Sequence, residues 1–204
     1  MEMKLNDKVL AMYQAVWALL EEGCDIHKMK VADITNRAGI GKGTAYEYFR
    51  TKEELLANAL EYDLDMKYSA LAAEVEKQNT LKQAVESCFV WLEKNMDRRF
   101  AMQIFDISRA IQESGAQIPC SFDSVERQMD CGVEKFRPIL EAIVTLGREE
   151  GLIRPEVSDK LAQLEIFSKI IGFFGFLQFG DSQSQEEMRQ TKAFLYDNIV
   201  KSLK

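Results

Sequence analysis

The run RAGIGKGTAYEYF, residues 37 to 49, carries side chains whose types and spacing suit the gripping of another molecule: Lys42, Thr44, Tyr46 and Tyr48, set among Gly41 and Gly43. The chemistry they offer is recognition. A lysine can donate to guanine or phosphate, a threonine hydroxyl can donate and accept, and a tyrosine ring can touch a thymine methyl or a phosphate. Gly41 and Gly43 add no side chain, so the backbone beside Lys42 can come close to whatever is gripped. Bond-breaking chemistry has no comparable cluster, because no nucleophile, base and orienting group stand together, and the chain is expected not to be an enzyme. A single histidine, His27, rules out a His-based metal centre, and Cys24, Cys88, Cys120 and Cys131 share no metal spacing. Neither a metal nor a cofactor is expected. The four cysteines sit in helical patterns as small reduced hydrophobes.

Charge points the same way. Between His27 and Lys52 the basic residues are Lys28, Lys30, Arg37, Lys42, Arg50 and Lys52, opposed by Asp33 and Glu47, whereas the whole chain carries a net charge of −7. A local positive island on an otherwise acidic molecule suits one polyanion-facing surface and argues against indiscriminate nucleic-acid binding.

These residues need helices to position them. With 204 residues and 47% apolar content, the chain can bury one core or one core plus a small satellite. Its pattern is helical almost throughout, with three prolines and no convincing alternation for a strand. A first helix with Val9, Tyr13, Val16, Trp17 and Leu20 on one face stops at Gly23. A second, with Val31, Ile34 and Ala38 inward, ends at Gly39. The third begins at Ile40 and turns Ala45 and Phe49, four apart, toward the same core. Thr51 with Glu54, Thr80 with Gln83, and Ser184 with Glu187 read as capping boxes opening helices that run to about Glu76, over 81–97 and over 185–203. A helix with Phe100, Ile104, Ile107 and Ile111 comes next, then a loop at Gly115–Pro119. A long helical region from Ser121 to Glu150 is expected to kink or break near Pro138, and another helix spans 158–179. The longest strongly apolar stretch, residues 170–179, is about half of the ~20 residues needed to cross a bilayer, and the amino terminus lacks signal anatomy. A cytoplasmic protein off the membrane is expected.

The segment from Val31 to Lys52 has the layout of a helix-turn-helix, whose second helix enters the major groove with its first residues at base edges. Amide groups at that helix's amino end favour phosphate. VADITNRAGIGKGTAYEYFRTKEELL resembles the DNA-binding segment of the tetracycline-repressor (TetR) family, with its IA-x-x-AGV turn and tYxyF-x-x-K-x-x-L run. The matching positions are Ile34, Ala38, Gly39, Ile40, Thr44, Tyr46, Tyr48, Phe49, Lys52 and Leu55. The resemblance implies Thr44 and Tyr46 near bases, and Tyr48 and Lys52 on the phosphate backbone. Thr35, Lys30, Gly41 and Glu47 depart from the family pattern. Lys30 stands where a threonine cap is common and could contact phosphate directly. Glu47 is unfavourable near phosphate unless it accepts from a cytosine amino group or points aside.

The expected architecture is all-α: a three-helix DNA-binding domain over 1–52, and a larger helical domain over 53–204 that, by the resemblance, dimerises and holds a small effector. Ile166, Ile170, Phe173, Phe174, Leu177, Phe194, Leu195 and Ile199 are the expected homodimer interface, with ordinary core as the alternative for the same residues. Gly172 and Gly175 would permit close helix approach. Met66, Phe89, Trp91, Met96, Phe100, Met102, Phe105 and Phe136 are the candidate wall of a pocket for an apolar small-molecule effector, again with core packing as the alternative. The implied function is a ligand-responsive regulator, a repressor that binds a palindromic double-stranded DNA operator as a homodimer. A DNA-binding architectural or adaptor protein controlled by a protein partner, without a small-molecule effector, is the alternative.

Overall fold

The computed structural model describes residues 6–96, 98–114, 125–178 and 184–204, with the side chains of 98–99 and 125–133 left aside. Among the described residues there are nine helices and no strand: α1 (Asp7–Glu21), α2 (Val31–Ala38), α3 (Lys42–Tyr48), α4 (Lys52–Val75), α5 (Leu81–Asn95), α6 (Arg98–Ser114), α7 (Val125–Glu149), α8 (Asp159–Gln178) and α9 (Gln185–Leu203). The expected loop at Gly115–Pro119, together with Cys120 and the start of a helix at Ser121, lies outside the described residues.

Helix ends follow local chemistry. Gly23, Gly39 and Gly151 stop α1, α2 and α7, and Gly39, at φ 68°, holds the left-handed conformation that lets the chain double back into α3. The capping box of α9 forms in full: Ser184 N donates to Glu187 Oε2 at 2.8 Å and Glu187 N donates to Ser184 Oγ at 3.2 Å. At α4 and α5 the reach-back slips one residue upstream. Arg50 N donates to Glu54 Oε2 at 2.6 Å, and Asn79 N to Gln83 Oε1 at 3.3 Å, while Thr51 and Thr80 still cap with their hydroxyls. α7 runs unbroken through Pro138, so of the expected kink or break the break does not occur: the ring removes one intrahelical bond while Phe136, Ile139 and Leu140 anchor the helix on both sides.

Packing divides the chain into two compact units, one of Met1–Met66 with Met102–Cys131, the other of Lys67–Ala101 with Gly132–Lys204. The first unit is larger than the expected 1–52 domain. Its core joins Met12, Val16, Met29, Ile34, Ala45 and Phe49 to Leu55, Leu56 and Leu60 of α4 and to Ile107 and Ile111 of α6. Tyr13 lies in this core against Phe49 and Tyr62, and burial, with Glu61 and Glu54 adding, pushes its hydroxyl up to about 12. In effect the three small helices are seated on the opening turns of α4.

The second unit packs α5, α8 and α9 around Phe89, Ile166, Ile170, Phe173 and Ile199, with Phe136, Ile139 and Ile143 of α7 also buried. Arg148 staples the turn after α7. Its guanidinium donates to the carbonyls of Ile153, Arg154 and Val157 and pairs with Asp159 at 2.8 Å. Arg154 N then donates to the Leu203 carbonyl at 2.9 Å, tying the end of α9 to the same turn. Cys88 is fully buried here, and burial raises its thiol to about 12.

Candidate nucleic-acid interface

The short α3 is held by what it buries. Ala45 and Phe49 point into the core, so Lys42, Gly43, Tyr46 and Glu47 are left on the outside. Tyr46 is 51% exposed, and Lys42 Nζ stands 5.9 Å from its ring centroid, the one-turn pairing expected from their spacing. Thr44 is half-buried at their side, its N–H donating to the Gly41 carbonyl at 3.0 Å. Lys42, Thr44 and Tyr46 therefore share one surface with bare Gly41 and Gly43.

Neither of those glycines is required by the fold. Gly41 has φ −71°, Gly43 shows no positive φ, and a methyl placed on either meets nothing within 4 Å. Gly39 differs, since its left-handed backbone needs glycine. Positions 41 and 43 are thus bare and open at the surface of α3.

The remaining predicted contacts are placed differently. Tyr48 is part-exposed, and its hydroxyl accepts from Asn6 Nδ2 at 2.8 Å, which anchors the start of α1 to α3. Lys52 turns inward: its side chain is 19% exposed, and Nζ donates to the Ile26 carbonyl at 3.2 Å beside Glu53 at 3.8 Å. Lys30 is exposed and does not cap α2. A lysine side chain has no acceptor, and Asp33 closes that end alone by accepting from Lys30 N at 2.8 Å. Within the basic island Arg37 is committed to Glu22 at 2.7 Å, and Lys28 lies 3.7 Å from Asp25. The His27 backbone N–H, with Lys28 nearby, holds the Asp25 carboxyl below its usual range.

The expected effector and dimer residues are sorted by burial. Phe89, Trp91, Met96, Phe100 and Phe136 are buried in the second unit, where Trp91 stacks on Tyr68 at 5.3 Å and Phe89 meets Phe173 at 4.8 Å. Met66, Met102 and Phe105 belong to the first unit and are exposed there; Phe105 is 60% exposed. Two grooves border α5. One of about 680 Å³ includes Leu71 and Trp91, and one of about 520 Å³ includes Val85, Phe89, Met188 and Tyr196. In the second, Lys192 bridges Glu93 at 2.8 Å and Glu86 at 3.1 Å; burial opposes its charge, yet the two carboxylates hold the ammonium above its usual range.

Of the expected dimer residues, Ile166, Ile170, Phe173 and Ile199 are core, with no surface left to offer a second chain, so they are removed from that interface. The outward apolar face of α8 is Leu161, Leu164 and Ile171, and α9 adds Phe194 at 66% exposure. Sequence reading missed the three α8 residues. The signal was present, because α8 has apolar residues on more than one stripe. Among the described residues it is the one helix long and apolar enough, at mean hydropathy 1.2, to cross a membrane by length and composition.

Comparison with known proteins matches this geometry. Residues 21–59 match the family model for bacterial regulatory proteins of the tetR family. The fatty acid metabolism regulator protein of Bacillus subtilis (strain 168) is 24% identical over 156 residues, covering 76% of this chain and 75% of that protein. A TetR transcription regulator from Haloarcula marismortui ATCC 43049 has the same fold, with a TM-score of 0.67 at 19% identity over 98% of this chain and 99% of that one. The transcriptional regulator FadR from Bacillus subtilis, in complex with stearoyl-CoA, gives a TM-score of 0.59 at 18% identity over 96% of this chain and 99% of that one. The helix-turn-helix is thus matched in sequence to the tetR family over residues 21–59, and the fold is shared along nearly the whole chain with a TetR transcription regulator.

Proposed function

We propose that this chain is a cytoplasmic, ligand-responsive repressor that binds a palindromic operator as a homodimer, and that its effector is a long-chain fatty acyl thioester of coenzyme A. The observation that carries the DNA reading is the exposed tip of α3, where glycines the fold does not need sit between Lys42, Thr44 and Tyr46. Support for the effector comes from the comparisons: the sequence relative is a fatty acid metabolism regulator of Bacillus subtilis, and the FadR structure from Bacillus subtilis holds stearoyl-CoA. Support for the dimer comes from the uncovered apolar stripe of α8 with Phe194 of α9, since a reader of two half-sites must present two α3 tips about one DNA turn apart.

In this reading an acyl thioester binds best to the conformation whose two tips cannot reach both half-sites, and the population shifts away from the DNA-competent state. α4 supplies residues to both units and is the covalent path for that shift. The deciding experiment selects duplexes with purified protein and then titrates stearoyl-CoA against the selected operator at fixed salt. Release of a two-half-site duplex by the thioester is the expected result. Unchanged affinity at saturating thioester would overturn the effector assignment and leave the DNA reading intact.

A further inference from the structure

One residue of the recognition helix runs against the electrostatics of its surroundings. Glu47 lies two positions after buried Ala45, about 200° around an α-helix, so it occupies the middle of the outward face. It is exposed and has no hydrogen bond or ion pair among the described residues, unlike Arg37 and Glu22, which pair at 2.7 Å. One turn earlier on the same line is Gly43, with open space where a side chain would be. Whatever α3 approaches therefore meets the Glu47 carboxylate without a neighbouring side chain in front of it.

A carboxylate is acceptor-only and is repelled by phosphate, so next to duplex DNA it needs a donor on a base edge. The major groove offers two such donors, the amino groups of cytosine N4 and adenine N6. Adenine presents the N7 acceptor beside its amino group, which repels a carboxylate, whereas cytosine N4 has no such neighbour on its own base. We propose that Glu47 is a specificity-determining residue that accepts a hydrogen bond from a cytosine amino group, making a C·G pair obligatory at one position in each half-site. The inference rests on the DNA-reading function above and deepens it by naming a base and the residue that selects it. The same carboxylate repels duplexes lacking that cytosine, so discrimination comes from rejection as well as attraction.

The test is a selection from random duplexes by wild-type protein, Glu47→Gln and Glu47→Ala, with thermal unfolding and circular dichroism confirming that all three are folded. Wild type is expected to require C at one half-site position, with substitution there weakening binding about tenfold or more. Glu47→Gln should move the preference at that position from C to A, because an amide can bond to adenine N6 and N7 together. Glu47→Ala should flatten that position alone, leave the others unchanged, and tighten binding to random duplex. Identical base preferences in wild type and Glu47→Ala would overturn the assignment while leaving the DNA reading in place. No preferred duplex for wild type would remove the DNA reading and this inference with it.

Discussion

α3 and α8 each leave one face uncovered by their own unit, and the two faces are chemical opposites. Outside α3 stand a lysine, a tyrosine, a glutamate and two glycines the fold does not need; outside α8 stand Leu161, Leu164 and Ile171. A polar face is comfortable in water, so its composition records what it must touch. An apolar stripe is not comfortable, since burying each leucine or isoleucine is worth about 1.5–3 kcal/mol, and its presence signals a partner that removes water. The inward and outward sides of α8 sharpen the contrast: Phe173 holds the unit together, while Leu164, at 63% exposure, holds nothing within it.

The largest expected effect tests that inner side. Phe173→Ala should lower unfolding free energy by about 3–5 kcal/mol in chemical denaturation, because the ring is fully buried against Phe89 and Phe176. The outer side should behave otherwise. Leu164→Glu combined with Ile171→Glu is expected to leave helical content intact, turn a dimer into a monomer by sedimentation, and weaken operator binding about a hundredfold through loss of the linked second half-site. A dimer surviving both charges would erase the distinction drawn between the two sides. On α3, Tyr46→Ala should weaken the selected operator by about 1–3 kcal/mol, tenfold or more, in a binding titration. Because Tyr46 is half-exposed, its unfolding free energy should change by only about 0.5 kcal/mol.

The same contrast explains what was legible in the sequence. The helix ends could be read because their signals are local: Gly23, Gly39 and Gly151 adopt positive φ, and Ser184 forms its box with Glu187 three residues on. The α3 surface was legible because Ala45 and Phe49 mark its inner side at helical spacing. α8 was not, since Ile166, Ile170 and Phe173 look no different in sequence from Leu161, Leu164 and Ile171; a helix apolar on both sides gives periodicity nothing to distinguish. The candidate pocket residues divide into buried and exposed for a related reason. Met66, Met102 and Phe105 have the residue types of a lining, but orientation depends on packing partners distant in sequence. Lys52 shows the limit of motif matching: the position was recognised, while its inward bond to the Ile26 carbonyl comes from a residue 26 positions away.

The smallest expected effect is the most discriminating, because stability and binding should move in opposite directions. Gly43 lies inside α3 without positive φ, and a methyl there meets nothing within 4 Å, so Gly43→Ala should raise stability by up to about 1 kcal/mol through lower backbone entropy in the unfolded chain. Gly39→Ala should instead destabilise by about 1–2 kcal/mol, since its φ of 68° is left-handed and alanine is strained there. Both substitutions add one methyl to the helix-turn-helix. If the space over Gly43 is filled by duplex, the more stable Gly43→Ala protein should bind the operator more weakly than wild type, whereas Gly39→Ala should lose affinity only to the extent that it loses folded protein. Thermal unfolding and an operator titration on the same samples separate the two. A Gly43→Ala variant that gains stability and keeps full affinity would mean that the DNA does not come within a methyl group of α3.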